Sequence, residues 1–463
     1  MFFSDATHLA TFGNAKAWPL YLYFGNVSKY ARAMPNSGAC HLVAFFPSLP
    51  DSIKDFFLML ERMSRKGIAS LQAHCCRELF HGCWNILLDE AFVEACHHGI
   101  VLCCPDGAIC RVFPRIFTYS ADYPEKALIA TIREMGRRPC PCCLVPKHLI
   151  DRVGTLRDAR LRASQLREFV LQKVLQVREA ILKQAKAVDG SFVERILGSD
   201  SWVPTINAFA EKLSGLGLKQ LTMLVVDLMH ECELGSWKSL FTHLIRLLYG
   251  LPTGALTVAE LDARFWQIPS FGRGTIRKFS SNTLEMKRLA ARDFEDILQA
   301  HSFTSHPCCL RCSTRVKCTI PVFEGLFPPA HDRIVSTLLF RFAEWHVLAK
   351  LRLHTETTLN DLERTHMILC QKLRLFSRKL CPDYRTIELP KERASWLRKR
   401  ARDGAGSAVP SLPSGGKVKT FNMCTYKFHA LGDYVESIRL FGTTDSYTMQ
   451  TVICFRSSDV SSD

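Results

Sequence analysis

The stretch Val225–Trp237 joins an apolar run to a dense set of side chains that can bind a metal ion. Asp227 and His230 follow that apolar run directly. Asp5 and Asp122 have similar settings, because each comes just after a short run of aromatic and small residues. A buried carboxylate needs a partner or a metal, and carboxylates at the ends of apolar strands can hold two metal ions for phosphoryl transfer. A fold that brings these strand ends together would therefore build a metal site.

Composition limits the class of protein. With 463 residues, of which 47% are hydrophobic and 22% charged, the chain can bury a sizeable core and is expected to form two or three units. The net charge of +16 favours a polyanionic partner such as nucleic acid. The sequence contains no apolar run of about 18 residues, the length of a membrane-spanning helix. We therefore expect a soluble protein with no membrane partner.

The order of sequence patterns predicts an α/β domain with a large, mainly helical insertion. Three β-rich runs at residues 1–50 are separated by Gly, Asn, Pro and Ser, which predicts a strand meander. Helical spacing follows at residues 52–98, strand character returns at 99–119, and a helix is expected from Pro124. Residues 155–200 are charged, amphipathic and helical, and their basic face could be solvated or could contact nucleic acid.

Each acidic candidate also has an ordinary structural interpretation. Asp5 could simply begin a turn. Asp122 could cap a helix, a role that is compatible with metal binding at a strand-to-helix junction. Asp227 and His230 are three residues apart, so on an α-helix they would share a face. They could bind a metal, or form a polar cluster that the fold satisfies internally.

The cysteines give one candidate site. The chain has 20 cysteines, but it is long and its first residues lack the features of a secretory signal, so a reducing compartment is expected. Cys140 and Cys143 form a Cys-x-x-Cys pair whose spacing suits a tetrahedral zinc ion, and buried free thiols are the alternative. The candidates for the remaining ligands are Cys103, Cys104, Cys110 and His148. The similar run Cys308–Cys312 has no such partners nearby and is expected to bind no metal.

A third acid and a basic segment are sought in the C-terminal half. Glu344 and Glu356 lie in a long helical region and could face a metal site, although a glutamate on a helix is often just solvated. A basic cluster with Tyr384 and Trp396 among its charges follows this region, and it could contact a phosphate backbone or form a basic tail. The residues expected to bind DNA are Lys372, Arg374, Arg378, Lys379, Arg398, Lys399 and Arg400.

Taken together, these motifs resemble the Plavaka transposases of fungi, a group similar to the Kyakuja, Dileera and Zisupton elements. The resemblance runs from residue 1 to about residue 451. The segments that carry it are Ser4–Leu9, Phe113–Lys126, Cys140–Lys147, Val226–Glu231 and Trp345–Glu356.

The resemblance implies a ribonuclease H-like mixed sheet with a large helical insertion, and a reaction that cleaves and transfers DNA strands with bound Mg²⁺ or Mn²⁺. It implies that Asp5 and Asp122 are the first two catalytic acids and that Asp227 and His230 form the Asp-x-x-His signature. It makes Glu344 the preferred third acid and Glu356 the alternative. It also implies DNA as the partner and a nuclear location, and it leaves a homo-oligomer open.

On this basis the chain is expected to divide into four parts. Residues 1–150 would be the N-terminal part of the catalytic core with the cysteine-rich segment, and 151–330 the helical insertion with the Asp-x-x-His motif. Residues 331–402 would be the helical C-terminal part of the core with the basic segment. Residues 403–463 would be a Gly/Ser/Pro-rich linker and a tail.

Three departures from the family pattern leave an alternative function open. The chain begins four residues before Asp5, so an N-terminal zinc-finger DNA reader is expected to be missing. Residues 300–317 interrupt an otherwise continuous passage, as a translated intron would, and the tail 451–463 leaves the pattern. The alternative to an active transposase is a degenerate, non-catalytic remnant that at most binds DNA or zinc.

Overall fold

A computed structural model describes residues 1–8, 16–34, 36–59, 64–216, 220–268, 279, 291–299, 319–403 and 416–450. The predicted insertion at 300–317, the cysteines at 308–312, the centre of the predicted linker at 404–415 and the tail at 451–463 lie outside the described residues. Two compact units make up the chain. The first comprises the described parts of Met1–Ile150, Leu156–Asp227 and Cys424–Asp463, and the second those of Asp151–Thr155 and Leu228–Met423.

The strands all belong to the first unit. They are β1 Phe2–Ser4, β2 Thr7–His8, β3 Lys16–Ala17, β4 Pro19–Leu22, β5 His41–Phe45, β6 Ile100–Cys103, β7 Ile109–Val112 and β8 Tyr119–Ser120. Four of them form a sheet in the order β5-β4-β1-β8, while β2 pairs with β3 and β6 with β7. The first three strands of the sheet in chain order, β1, β4 and β5, are antiparallel neighbours, which confirms the predicted meander.

Strand β8 differs from the other strands of the sheet, because it runs parallel to β1. A parallel neighbour requires a crossover connection, and the chain between β5 and β8 supplies helices for it. Beyond β8, Tyr119 also makes a parallel bridge to Leu224, so a fifth chain segment continues the sheet on that side.

The helices occupy most of the remaining described chain. They are α1 Lys29–Arg32, α2 Asp51–Leu58, α3 Arg65–Leu87, α4 Glu90–His98, α5 Tyr123–Ile129, α6 Leu156–Ser164, α7 Leu171–Gln184, α8 Ser191–Leu197, α9 Ala208–Leu213, α10 Lys238–Tyr249, α11 Gly254–Trp266, α12 Ala291–Gln299, α13 Thr319–Phe323, α14 Pro329–Ala349, α15 Glu356–Leu375, α16 Pro390–Asp403, α17 Tyr426–Ala430 and α18 Tyr434–Phe441. Two π-helices span Leu228–Trp237 and Phe376–Leu380. Short 3₁₀ helices span Lys147–Arg152, Gly198–Asp200, Ser214–Leu216, Gln220–Met223, Cys381–Asp383, Leu431–Asp433 and Thr444–Ser446.

The core of the first unit lies between the sheet and helices α3, α7, α8 and α9. Trp84 of α3 is fully buried, and its ring packs edge-on against Phe2 with centroids 5.2 Å apart. Phe209 of α9 lies 4.6 Å from the same indole ring. Burial of such large rings contributes a few kcal/mol each, on the order of 2 to 3, so this contact fixes α3 against β1.

The second unit is built around the longer π-helix, α10 and the hairpin of α14 and α15. Trp237 at the end of the π-helix is fully buried, and its ring lies 5.4 Å from that of Phe342 on α14. Its indole N–H donates to the carbonyl oxygen of Phe294 at 3.1 Å. Strands and helices together make the protein a mixed α/β protein, as the sequence predicts. Among the described residues, no helix is both long and apolar enough to cross a membrane.

Candidate functional site

Asp5 and Asp122 follow neighbouring parallel strands. Strand β1 ends at Ser4 and β8 at Ser120. The register pairs Phe2 with Tyr119, three residues before each aspartate, so counting along the two strands places the aspartates at the same level. The parallel arrangement is what brings the two acids to one edge of the sheet, since the same ends of parallel strands lie side by side.

Asp227 falls at that same level on the next chain segment. Leu224 pairs with Tyr119 in the parallel direction, and Asp227 follows Leu224 by three residues, just as Asp122 follows Tyr119. Three neighbouring segments therefore each carry an aspartate at the corresponding position. The Asp227 side chain is fully buried, and its Oδ1 accepts hydrogen bonds from Thr448 Oγ1 at 3.2 Å and from the Met449 N–H at 3.3 Å.

Asp122 also caps helix α5. Its Oδ1 accepts a hydrogen bond from the backbone N–H of Glu125 at 3.0 Å, and Pro124 stands in the first helical turn. Such a cap satisfies one of the free N–H groups at the start of the helix. One oxygen is used in this way, so the cap orients the carboxylate without excluding a second ligand.

Glu125 is a fourth carboxyl group at these strand ends, and the sequence interpretation did not single it out. It is buried and accepts hydrogen bonds from Ser4 Oγ, from Trp18 Nε1 at 3.1 Å and from Tyr119 Oη at 3.4 Å. Burial raises the pKa of Glu125 to about 8, and the charges of Asp122 and Asp5 act in the same direction. Removal from water disfavours the charged form of a carboxyl group, and like charges add to that effect.

His230, Glu344 and Glu356, the other residues predicted for the acidic site, belong to the second unit. His230 lies on the first turn of the π-helix, whereas Asp227 precedes that helix. The condition of a shared α-helix does not apply to this pair, because Asp227 lies before the helix and a π-helix follows i to i+5 bonding. Glu344 is half-buried on α14 and paired with Arg341 at 2.7 Å, while Glu356 is exposed in the first turn of α15.

A second candidate centre joins Cys140, Cys143 and His429 in the first unit. All three are buried, and their ligand atoms lie within 4.8 Å of one another. The cysteines lie in the loop before the 3₁₀ helix Lys147–Arg152, and His429 lies on α17. Cys143 Sγ and His429 Nε2 lie 3.3 Å apart. Two thiols and an imidazole are ligands that zinc prefers, so the donor set fits such an ion.

The loop geometry favours a thiolate at Cys140. The backbone N–H of Cys142 donates to Cys140 Sγ at 3.3 Å. Burial raises the pKa of the Cys140 thiol, but hydrogen bonds from the Cys142 and Cys143 thiols outweigh burial and hold this pKa well below its usual range. The thiolate is the form that binds metal.

Arg162 contacts both ring nitrogens of the third member of the cluster, and its Nη1 lies 3.1 Å from His429 Nε2. Its Nη2 donates to the carbonyl oxygen of His429 at 2.8 Å and lies 2.9 Å from the imidazole Nδ1. Ion pairs to Asp158 at 2.9 Å and to Asp433 at 2.6 Å hold the guanidinium group in place. A charged side chain this well paired fixes the position of α17.

The other predicted zinc ligands lie elsewhere in the described chain. Cys104 follows β6 in the turn of the β6–β7 hairpin, with Cys103 and Cys110 on the two strands. His148 lies on the 3₁₀ helix after the Cys-x-x-Cys loop. His429 completes the group of three instead, and nothing in its local sequence distinguishes it as a ligand.

The basic candidates lie along the end of α15, on the π-helix Phe376–Leu380 and on α16. Arg374 donates to the carbonyl oxygen of Val153 at 2.5 Å, and Arg378 pairs with Asp151 at 3.0 Å while remaining largely exposed. Lys379 and Arg398 are exposed, and Lys372 is half-buried. The side chains of Lys399 and Arg400 lie outside the described part of the chain.

Comparison with known proteins identifies the family. The family model of the Plavaka transposases matches residues 1–246, more than half of the 463-residue chain, and this range contains Asp5, Asp122, Asp227, Cys140 and Cys143. No curated protein and no solved structure matches the chain. The chain belongs to the Plavaka transposase family, so its function is transposase-like and DNA is its expected partner.

Proposed function

We propose that this protein is a DNA transposase that cleaves and transfers DNA strands by metal-dependent phosphoryl transfer. The observation that carries the proposal is the common level of Asp5, Asp122 and Asp227 on three neighbouring parallel segments. The sheet supports it as well, because a three-strand antiparallel meander with a fourth strand parallel to the first is the order expected of a ribonuclease H-like fold.

The chemistry follows from the ligands. Carboxylate oxygens are hard ligands and suit Mg²⁺ or Mn²⁺. Such ions, when bound, would activate the attacking water or 3′-hydroxyl and stabilise the leaving oxygen. Asp5, Asp122 and Asp227 would hold them, with Asp122 fixed by its helix cap and Asp227 by the bonds from Thr448 and Met449.

The remaining predicted residues keep the roles that the family resemblance implies. Glu344 is the preferred third acid, with Glu356 as the alternative, and His230 would orient a ligand next to Asp227. Exposed lysine and arginine side chains on the π-helix Phe376–Leu380 and on α16 would contact the phosphate backbone, and that part of the affinity should fall as salt rises. We further propose that the protein acts in the nucleus, where its DNA substrate lies.

A structural zinc ion is proposed for the second centre. Cys140, Cys143 and His429 would hold it, because they are buried and converge within 4.8 Å. Such an ion would tie the loop after α5 to α17. Its effect would be on folding, since structural zinc sites contribute directly to the free energy of folding.

The test is Mn²⁺-dependent nicking of supercoiled plasmid by the purified chain. Asp122→Asn should lower the nicking rate by at least about 100-fold, because the loss of a carboxylate weakens metal binding. Asp89→Asn is the matched control, since Asp89 caps α4 through the same kind of bond, to the Phe92 N–H at 2.8 Å. A folded chain that binds DNA but does not nick it would favour the non-catalytic remnant.

A further inference from the structure

One carboxyl group connects the strand ends that precede Asp5 and Asp122. Glu125 accepts hydrogen bonds from Ser4, the last residue of β1, and from Tyr119 of β8 at 3.4 Å. Ser4 Oγ and Tyr119 Oη are themselves 2.7 Å apart. Ser4 and Tyr119 are both fully buried, so water does not compete for these bonds.

The backbone ladder does not extend to the aspartates themselves. It pairs Phe2 with Tyr119 and Phe3 with Ser120, and Asp5 and Asp122 come after the last of these pairs. Beyond that point the described contacts between the two strand ends are made by side chains. The Ser4–Tyr119 bond joins the two strands directly, and Glu125 joins them a second time by accepting from both hydroxyls.

Glu125 is also bonded directly to Asp122. Its N–H donates to Asp122 Oδ1 at 3.0 Å, while its second carboxyl oxygen accepts the indole N–H of Trp18 at 3.1 Å. Both carboxyl oxygens therefore have donors from the protein. This is the setting of a group that orients metal ligands rather than one that binds the metal itself.

We propose that Glu125 is a positioning residue that sets the separation of the Asp5 and Asp122 carboxylates through its side-chain bonds to Ser4 and Tyr119, next to the α5 cap that its backbone N–H makes. This inference rests on the proposed metal-dependent function. Two metal ions bridged by carboxylates must lie about 4 Å apart, so a shift of one strand end would weaken metal binding before it altered the fold.

Three variants of the full chain test the inference. Glu125→Ala removes the carboxyl group that both hydroxyls bond to and leaves the Ser4–Tyr119 bond, and Ser4→Ala removes both bonds made by the Ser4 hydroxyl. Glu125→Gln keeps the connection, because its amide oxygen can accept from Trp18 and its NH₂ group can donate to Ser4 and Tyr119. Glu134→Ala, at an exposed glutamate shortly after α5, is the matched control.

Two quantities are measured for each variant. Mn²⁺ binding is followed by electron paramagnetic resonance, and the Mn²⁺ concentration for half-maximal plasmid nicking is determined separately. Glu125→Ala should raise both the dissociation constant of Mn²⁺ and the Mn²⁺ concentration for half-maximal nicking by about 10 to 100-fold. The maximal rate of nicking should change less. Ser4→Ala should act in the same direction, and Glu125→Gln should stay within about threefold of the unaltered chain. Thermal unfolding checks that each variant is folded. If Glu125→Ala does not fold, Ser4→Ala provides the test.

The outcomes separate the two proposals. If the unaltered chain binds no Mn²⁺, the proposed function and this inference fail together. If it binds Mn²⁺ and folded Glu125→Ala and Ser4→Ala bind it equally well, only the inference is overturned. If Glu125→Gln is damaged as severely as Glu125→Ala, Glu125 is a metal ligand itself and the positioning role is wrong.

Discussion

The first unit holds two candidate metal centres that are built in opposite ways. The acidic centre takes Asp5, Asp122 and Asp227 from the ends of neighbouring chain segments, where the register of the sheet sets their level. The cysteine centre takes Cys140 and Cys143 from one loop and adds a histidine 286 residues beyond Cys143. The first is positioned by backbone pairing and the second by side-chain contacts.

This difference predicts what each centre does. Ligands at strand ends are held by a sheet that folds without the metal, so loss of metal there should affect activity and leave the fold intact. Ligands on a loop and a distant helix are joined by the metal itself, so its loss should affect folding. We therefore expect the acidic centre to affect activity and the cysteine centre to affect stability.

The largest expected effect tests whether a metal at the cysteine centre stabilises the fold. Cys143→Ser should abolish a stoichiometric zinc content and lower the free energy of unfolding by at least about 5 kcal/mol, because a metal bound only by the folded chain stabilises it. Metal analysis of the purified chain and thermal unfolding measure the two quantities.

Cys110→Ser is the control for that variant, since Cys110 is an exposed thiol on β7. It should keep both the zinc and the stability. A Cys143→Ser chain that retains one equivalent of zinc would show that the three residues do not bind the metal.

A buried histidine outside both centres gives a baseline for the comparison. His81 on α3 lies 3.1 Å from the Leu128 carbonyl oxygen through Nε2, and its Nδ1 accepts the Ala208 N–H at 3.2 Å. Burial lowers the pKa of His81 to about 4 from 6.5. The unfolded chain therefore binds a proton more readily, and stability should fall as the pH falls from about 6.5 to about 4.

The size of that loss is on the order of 3 kcal/mol at pH values below 4. His81→Gln can keep both bonds without titrating, so its unfolding free energy should depend less on pH across this window. His98→Gln, on the exposed end of α4, is the control for replacing a histidine by glutamine. Urea unfolding at pH 4 to 7 measures the difference, and equal slopes for all three chains would contradict it.

Much of the acidic centre could be predicted from sequence, because strand ends have a local signature. Asp5 and Asp122 each follow an apolar run, and that pattern was enough to single them out. The alignment of Asp227 with Asp5 and Asp122 could not be predicted in the same way. It depends on the β-bridge between Tyr119 and Leu224, which are distant in sequence. Glu125 was missed because an acid in the first turn of a helix is usually an ordinary solvated residue.

The cysteine centre shows more clearly what sequence spacing cannot predict. The Cys-x-x-Cys spacing identified its loop, but a third ligand brought in by tertiary folding leaves no spacing in the sequence. His429 stands alone in the segment Tyr426–Ala430, with no second ligand beside it. The candidates near the loop were chosen because they are close in sequence, and the structure brings in a distant residue instead.

The smallest expected effect tests whether Asp227 belongs with the other aspartates. Thr448→Val removes the hydroxyl that donates to Asp227 Oδ1 but keeps the size of the side chain. We expect the nicking rate to fall approximately tenfold. The free energy of unfolding should fall by about 1 kcal/mol, the contribution of one hydrogen bond. Thr443→Val is the control, because Thr443 lies in the same segment as Thr448 but its hydroxyl bonds to Lys29 and Asp445. If both variants lose stability but keep the nicking rate, Asp227 is a buried structural acid. The acidic centre then consists of Asp5 and Asp122, which follow β1 and β8.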